Sequence, residues 1–132
     1  MNKKWTKLII ISPVLLMIFL LLQSFPSGDE SNDGKILYQE YCAGCHGIDG
    51  KGNGDYSYLL YPKPRDFTDG KFKIRSTPTG NPPLDHDFAN TIRNGMPGTA
   101  MPSFSYLKDG EIKSLVDIVK EFSGINNQNV DP

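Results

Sequence analysis

The chain has 132 residues, a length that suits one small domain. Its formal net charge is −1, with 14 Lys and Arg against 15 Asp and Glu, which excludes the basic footprint of a nucleic-acid binder. Two cysteines exclude a disulfide-dense scaffold and a four-thiolate zinc site. The 38% apolar content is unevenly spread. Residues 1–28 hold 16 of the apolar side chains, which leaves residues 29–132 at roughly 33%, lean for a globular domain. A domain that short and lean needs a staple: a disulfide, a metal or a bound group.

Residues 1–7 (MNKKWTK) carry three lysines and no acid, and Leu8 to Leu22 is apolar apart from Ser12 and Pro13. A basic segment followed by an apolar one reads as a secretory signal or a membrane anchor. The apolar run is at the short limit for spanning a bilayer, even when extended to Phe25. The QSFPSG that follows fits a signal-cleavage pattern poorly, and no cysteine is near enough for a lipoprotein anchor. Residues 1–28 are therefore expected to be a signal peptide or an N-terminal anchor inserted through residues 8–25, with Trp5 and the lysines at the interface. Residues 29–132 are expected to form one domain outside the cytoplasmic membrane, with a net charge of −4.

The polar stretch 24–33 reads as a tether. A first helix is expected from an N-cap at Asn32 or Asp33 to about Cys42, with Gly34, Tyr38 and Cys42 on one face. Residues 47–84 hold six glycines and five prolines in 38 positions and keep no helical period. A long irregular segment in a small domain usually has a job. Residues 85–94 are expected to be a short helix, with acids in its first turn, Leu84, Phe88 and Ile92 four apart, and Gly95 behind it. A last helix is expected from an N-cap at Asp109 to Ser123, closed by Gly124, with Ile112, Leu115, Val116, Val119 and Phe122 as its apolar stripe. The fold class expected is all-α, with three main helices and long loops and its core at about 33–124.

Cys42-Ala43-Gly44-Cys45-His46 is C-x-x-C-H, the attachment signature of c-type haem. Two thiols add to two vinyl groups, the intervening pair sets their separation, and the histidine is delivered to the iron. The competing chemistries lack support. A thioredoxin-like redox pair wants a βαβ context, a zinc site wants ligands beyond the remaining His86, and a disulfide across two residues is strained. One covalent haem would also supply the missing core. The candidates for a sixth iron ligand are Met101, Met96 and His86, with an open site as the remaining alternative. Pro102 holds Met101 extended, so that a loop can present its soft sulfur to iron. For any methionine the ordinary role is core filler.

Gly34, Tyr38, C-A-G-C-H-G at 42–47 and N-G-M-P-G-T-A-M-P-S-F at 94–104 together resemble the class I monohaem cytochromes c of bacterial respiratory type. The resemblance covers about residues 33–123. It implies a small all-α fold around one haem held in a crevice, Cys42 and Cys45 as thioether residues, His46 as proximal ligand and Met101 as distal ligand. It also implies that Gly34 and Tyr38 sit where the first helix crosses the last, with Tyr38 against Val119 or Phe122. Segment 61–80 resembles small periplasmic cytochromes and cytochrome subunits of larger respiratory enzymes, and His86 departs from the pattern at a position with no fixed role.

Haem propionates call for a cation or donor, and Arg65 and Arg75 in the long loop are the candidates, with Tyr56, Tyr58 and Tyr61 as further donors. The carbonyl of Pro62 or Pro64 is expected to accept from the second ring nitrogen of His46. Asp49–Asp55 echoes a calcium loop, but Lys51 stands at a ligand position, and a glycine turn is the better reading. Lysines 51, 63, 71, 73 and 108 are either a docking ring or dispersed solubility charge.

The function expected is electron transfer between respiratory redox proteins outside the cytoplasmic membrane, with no enzyme activity and no small-molecule substrate. The alternative is a haem c subunit held permanently by a membrane or periplasmic oxidoreductase. A gas sensor or enzyme would need an open iron, and a two-haem peroxidase is excluded by the single C-x-x-C-H. Replacing both Cys42 and Cys45 by Ala is expected to remove haem staining from a denaturing gel and to leave a largely unfolded chain by circular dichroism. Stain that persists in the double variant would sink the attachment.

Overall fold

A computed structural model describes residues 30–125. The 1–28 segment, with its apolar run, lies outside them. Among the described residues there is no strand, and no helix is long and apolar enough to cross a membrane. The order is α1 (Glu30–Tyr41), a short α2 (Ala43–His46), a 3₁₀ turn (Ser57–Leu59), α3 (Asp85–Asn94) and α4 (Asp109–Ser123).

Helix α1 begins two to three residues before the expected cap. Helix α3 has the expected bounds. Its cap is supplied from inside the helix, because the Asp87 carboxylate accepts the Leu84 N–H at 3.0 Å. The same device moves the α4 cap from Asp109 to Lys108, whose N–H donates to Glu111 Oε2 at 2.7 Å. Gly124, in the left-handed region at φ 66°, closes α4 as expected.

Helix α4 is the spine of the core. Ile112, Leu115, Val116, Ile118 and Val119 are buried in it, against Tyr38 of α1, Phe88 and Ile92 of α3, and Phe104 and Leu107 of the loop between α3 and α4. Gly34 is the point of closest approach of α1 to α4. A Cβ there would lie 3.0 Å from the Ser114 carbonyl oxygen and 3.2 Å from Ile118 Cγ1. One turn on, the Tyr38 ring meets Phe122 edge-on at 5.0 Å, one of the two partners expected. Its hydroxyl donates to the Gly47 carbonyl at 2.8 Å, so the same residue ties the crossing to the end of α2.

Helix α3 is fastened to α4 at Lys120, whose ammonium is buried and lies 2.6 Å from Asp85 Oδ1. The buried Asp87 carboxylate gathers the long loop onto α3, taking the Ser76 N–H at 2.9 Å and the Ser76 hydroxyl at 3.0 Å. Burial alone would raise the Asp87 pKa, but the Ser76 and Leu84 donors outweigh it and hold the carboxyl below its ordinary value.

Gly34→Val should lower the melting temperature by the equivalent of about 1–3 kcal/mol, because the branched side chain enters a closed crossing. Thermal unfolding checks this, and an unchanged midpoint would show that the helices can separate there at no cost.

Candidate haem site

The C-x-x-C-H segment is one tight turn. The Cys45 and His46 N–H groups both return to the Cys42 carbonyl, at 3.1 and 2.9 Å, and Gly47 N–H returns to Ala43 at 2.8 Å. Both cysteines are free thiols and half-buried, and they leave Cys42 against the apolar cluster. Burial, reinforced by the neighbouring Cys45, pushes the Cys42 thiol up to about 12.

Half-buried His46 is fixed from two sides. Its Nδ1 lies 3.0 Å from the carbonyl oxygen of Arg65, and its ring stacks on Phe67 with centroids 4.4 Å apart and planes 16° from parallel. The acceptor expected at Pro62 or Pro64 is thus Arg65, the residue after Pro64. A carbonyl can only accept, so Nδ1 carries the proton and Nε2 keeps its lone pair. Desolvation lowers the His46 pKa, partly offset by that carbonyl, so the ring is neutral at pH 7. Nε2 makes no hydrogen bond among the described residues, which is the state an iron ligand needs.

The start of the loop after the motif also wraps it by backbone bonds. Gly52 N–H donates to His46 O at 2.7 Å, Gly54 N–H to Cys45 O at 3.1 Å and Tyr56 N–H to Gly44 O at 2.8 Å. These glycines are there because nothing larger fits. A Cβ on Gly52 would lie 2.6 Å from the Pro64 oxygen. One on Gly54 would lie 2.5 Å from the Gly44 oxygen and would also overlap the Ala43 oxygen. In the Asp49–Asp55 stretch, read as a glycine turn, Asp49 pairs with Lys51 at 2.7 Å, and no metal-holding cluster of His, Cys, Asp and Glu occurs among the described residues.

Met101 lies in the loop after α3 and packs, like Cys42, against the buried cluster. Met96 is half-buried, and its N–H donates to the Met101 carbonyl at 3.2 Å. His86 is exposed at the start of α3, with Nε2 3.1 Å from the Ser76 hydroxyl and 3.3 Å from Asp87 Oδ1. The Arg75 guanidinium is taken by its own loop, donating from Nη1 to the Phe72 carbonyl at 2.8 Å. The Arg65 guanidinium has no hydrogen bond or ion pair among the described residues. Tyr56, Tyr58 and Tyr61 are exposed, as are lysines 51, 63, 71, 73 and 108.

Two half-buried free thiols in one turn, a neutral imidazole with a free Nε2 and a glycine-lined backbone around them fit a c-type haem. Residues 31–122 match the cytochrome c family, and the chain belongs to it. The family's cofactor is a covalent c-type haem and its role is electron transfer, and Cys42 and Cys45 fit the attachment motif. Among solved structures, the chain resembles a chain of the reducing HAO-like protein complex Kustc0457/Kustc0458 of Kuenenia stuttgartiensis. The two are 39% identical with a TM-score of 0.71, over 76% of this chain and 46% of that one. The chain therefore spans less than half of that neighbour's length. No curated protein matches it.

Sequence reading did not find Phe67, Gly54 or the Arg65 carbonyl. The glycine spacing was a visible signal for Gly54, whereas no local pattern marks a ring that stacks across 21 residues of loop. Gly54→Ala should cut the haem-to-protein absorbance ratio several-fold, because the backbone oxygens it would meet are already bonded to Gly47 and Tyr56. A normal ratio would mean that the turn has slack there.

Proposed function

We propose that this chain is a one-haem electron carrier in which Cys42 and Cys45 form the thioethers and His46 and Met101 are the axial ligands. The observation that carries this reading is the His46 ring, oriented by the Arg65 carbonyl, kept neutral by burial and with Nε2 free, in the same turn as both thiols. Nε2 would hold the iron, and the Nδ1–H bond sets the ring's orientation and basicity. Met101 supplies a neutral, soft sulfur that favours the reduced metal and keeps the sixth position closed to substrates. When bound, the haem supplies the one-electron couple. The chain's own work is to hold two ligands in place and keep water from the metal.

Arg65 is the propionate partner favoured, because its guanidinium has no other partner among the described residues while that of Arg75 is tied to Phe72. Tyr56, Tyr58 and Tyr61 are further donors toward that edge.

The site of action proposed is outside the cytoplasmic membrane, where covalent haem attachment takes place, with residues 8–25 as anchor or signal. Permanent association with a larger oxidoreductase is the second reading. It is favoured by the likeness to a chain of a reducing HAO-like complex, a redox assembly by its description.

Met101→Ala should abolish the weak near-infrared sulfur-to-iron band of the oxidised protein and lower the reduction potential. Retention of the band would remove Met101 as ligand.

A further inference from the structure

Within residues 96–101, the loop that carries Met101 is held by one side chain. The Thr99 hydroxyl donates to the Met96 carbonyl at 2.8 Å and accepts the Met101 N–H at 3.1 Å. Around it the Thr99 N–H donates to Met96 O at 3.1 Å, and the Met96 N–H donates to Met101 O at 3.2 Å. Residues 96–101 therefore form a closed backbone ring with the threonine oxygen as its cross-brace.

The ring is seated at both ends. A Cβ on Gly95, at φ 67°, would lie 2.6 Å from the Pro102 carbonyl carbon and 2.8 Å from the Met101 oxygen, so only glycine lets α3 end this close to the loop. Beyond Pro102, the Ser103 hydroxyl donates to Arg93 O at 2.8 Å and the Phe104 N–H donates to Ile92 O at 3.3 Å, which pins the loop to the last turn of α3. Every one of these anchors is main chain to main chain except the hydroxyls of Thr99 and Ser103. Ser103 lies outside the 96–101 ring, so within the ring only Thr99 can be altered without rebuilding the backbone.

We propose that Thr99 is the positioning residue for the Met101 sulfur, setting how readily that ligand leaves the iron. This rests on the reading of Met101 as axial ligand. A loop free to open pays an entropic cost each time the sulfur returns to the metal, and the brace removes most of that freedom in advance. Without the hydroxyl, the Met101 N–H and the Met96 carbonyl each lose a bond and the loop samples open forms. An added small base then competes with the sulfur more successfully. Thr99 touches neither iron nor haem in this account, and acts through Met101 alone.

The test is imidazole titration of the oxidised holoprotein, followed by loss of the near-infrared band. Thr99→Val keeps the branched shape and removes the hydroxyl, whereas Thr99→Ser keeps the hydroxyl and removes the methyl. The Val variant should bind imidazole about tenfold more tightly than the native protein, the size expected from losing one to two hydrogen bonds. The Ser variant should match the native protein. Native-like binding by the Val variant overturns the proposal, and so does an equal gain in both variants, which would make the methyl packing responsible. A native protein that lacks the band overturns the Met101 ligation and this role with it, a result distinct from a native band that Thr99→Val leaves equally resistant.

Discussion

The hydrogen bond from His46 Nδ1 to the Arg65 carbonyl joins two parts of the chain that share no secondary structure. It selects the tautomer that leaves Nε2 free, and it holds the far side of a long glycine- and proline-rich loop over the C-x-x-C-H turn. Everything else in that loop is arranged so that the Arg65 carbonyl can be there. Gly52 has no Cβ, so the Pro64–Arg65 backbone passes within contact distance. The Phe67 N–H donates to Gly50 O at 2.7 Å, and the Phe67 ring then covers the imidazole. A single ring is thus fixed by one backbone acceptor, one aromatic face and two glycines.

The lean composition has a structural counterpart. Ile48, Tyr56, Tyr58, Leu59, Tyr61 and Ile74, all more than half exposed, belong to the loop between α2 and α3. The buried cluster is made by α4 and its neighbours, and the loop adds only the partly buried Phe67 and Phe72 to it. These six exposed side chains do not close a core on that loop by themselves. The family's covalent haem is a large apolar surface of the kind that such a loop lacks.

The same arrangement separates two tasks. The α1–α4 crossing at Gly34 and Tyr38 and the α3–α4 tie at Lys120 fasten the helices to one another. The C-x-x-C-H turn and the 96–101 loop are instead tied mostly by backbone bonds.

The sequence by itself determined the cofactor and the helices. C-x-x-C-H at 42–46 states its chemistry locally, because thioether spacing and the delivered histidine are properties of five consecutive residues. Helices α3 and α4 follow from apolar periodicity and flanking glycines, so their bounds were legible to within a residue. The α4 cap moved by one residue because Glu111 reaches back to cap from inside the helix, which no residue type at the cap itself announces. What only the tertiary structure decided were the contacts that span the loop: the Arg65 carbonyl in place of Pro62 or Pro64, the Phe67 ring on His46, and the Thr99 brace under Met101. Backbone acceptors carry no sequence signature, since every residue has one. Which of them lies 3 Å from an imidazole is set by how the whole loop folds over the turn.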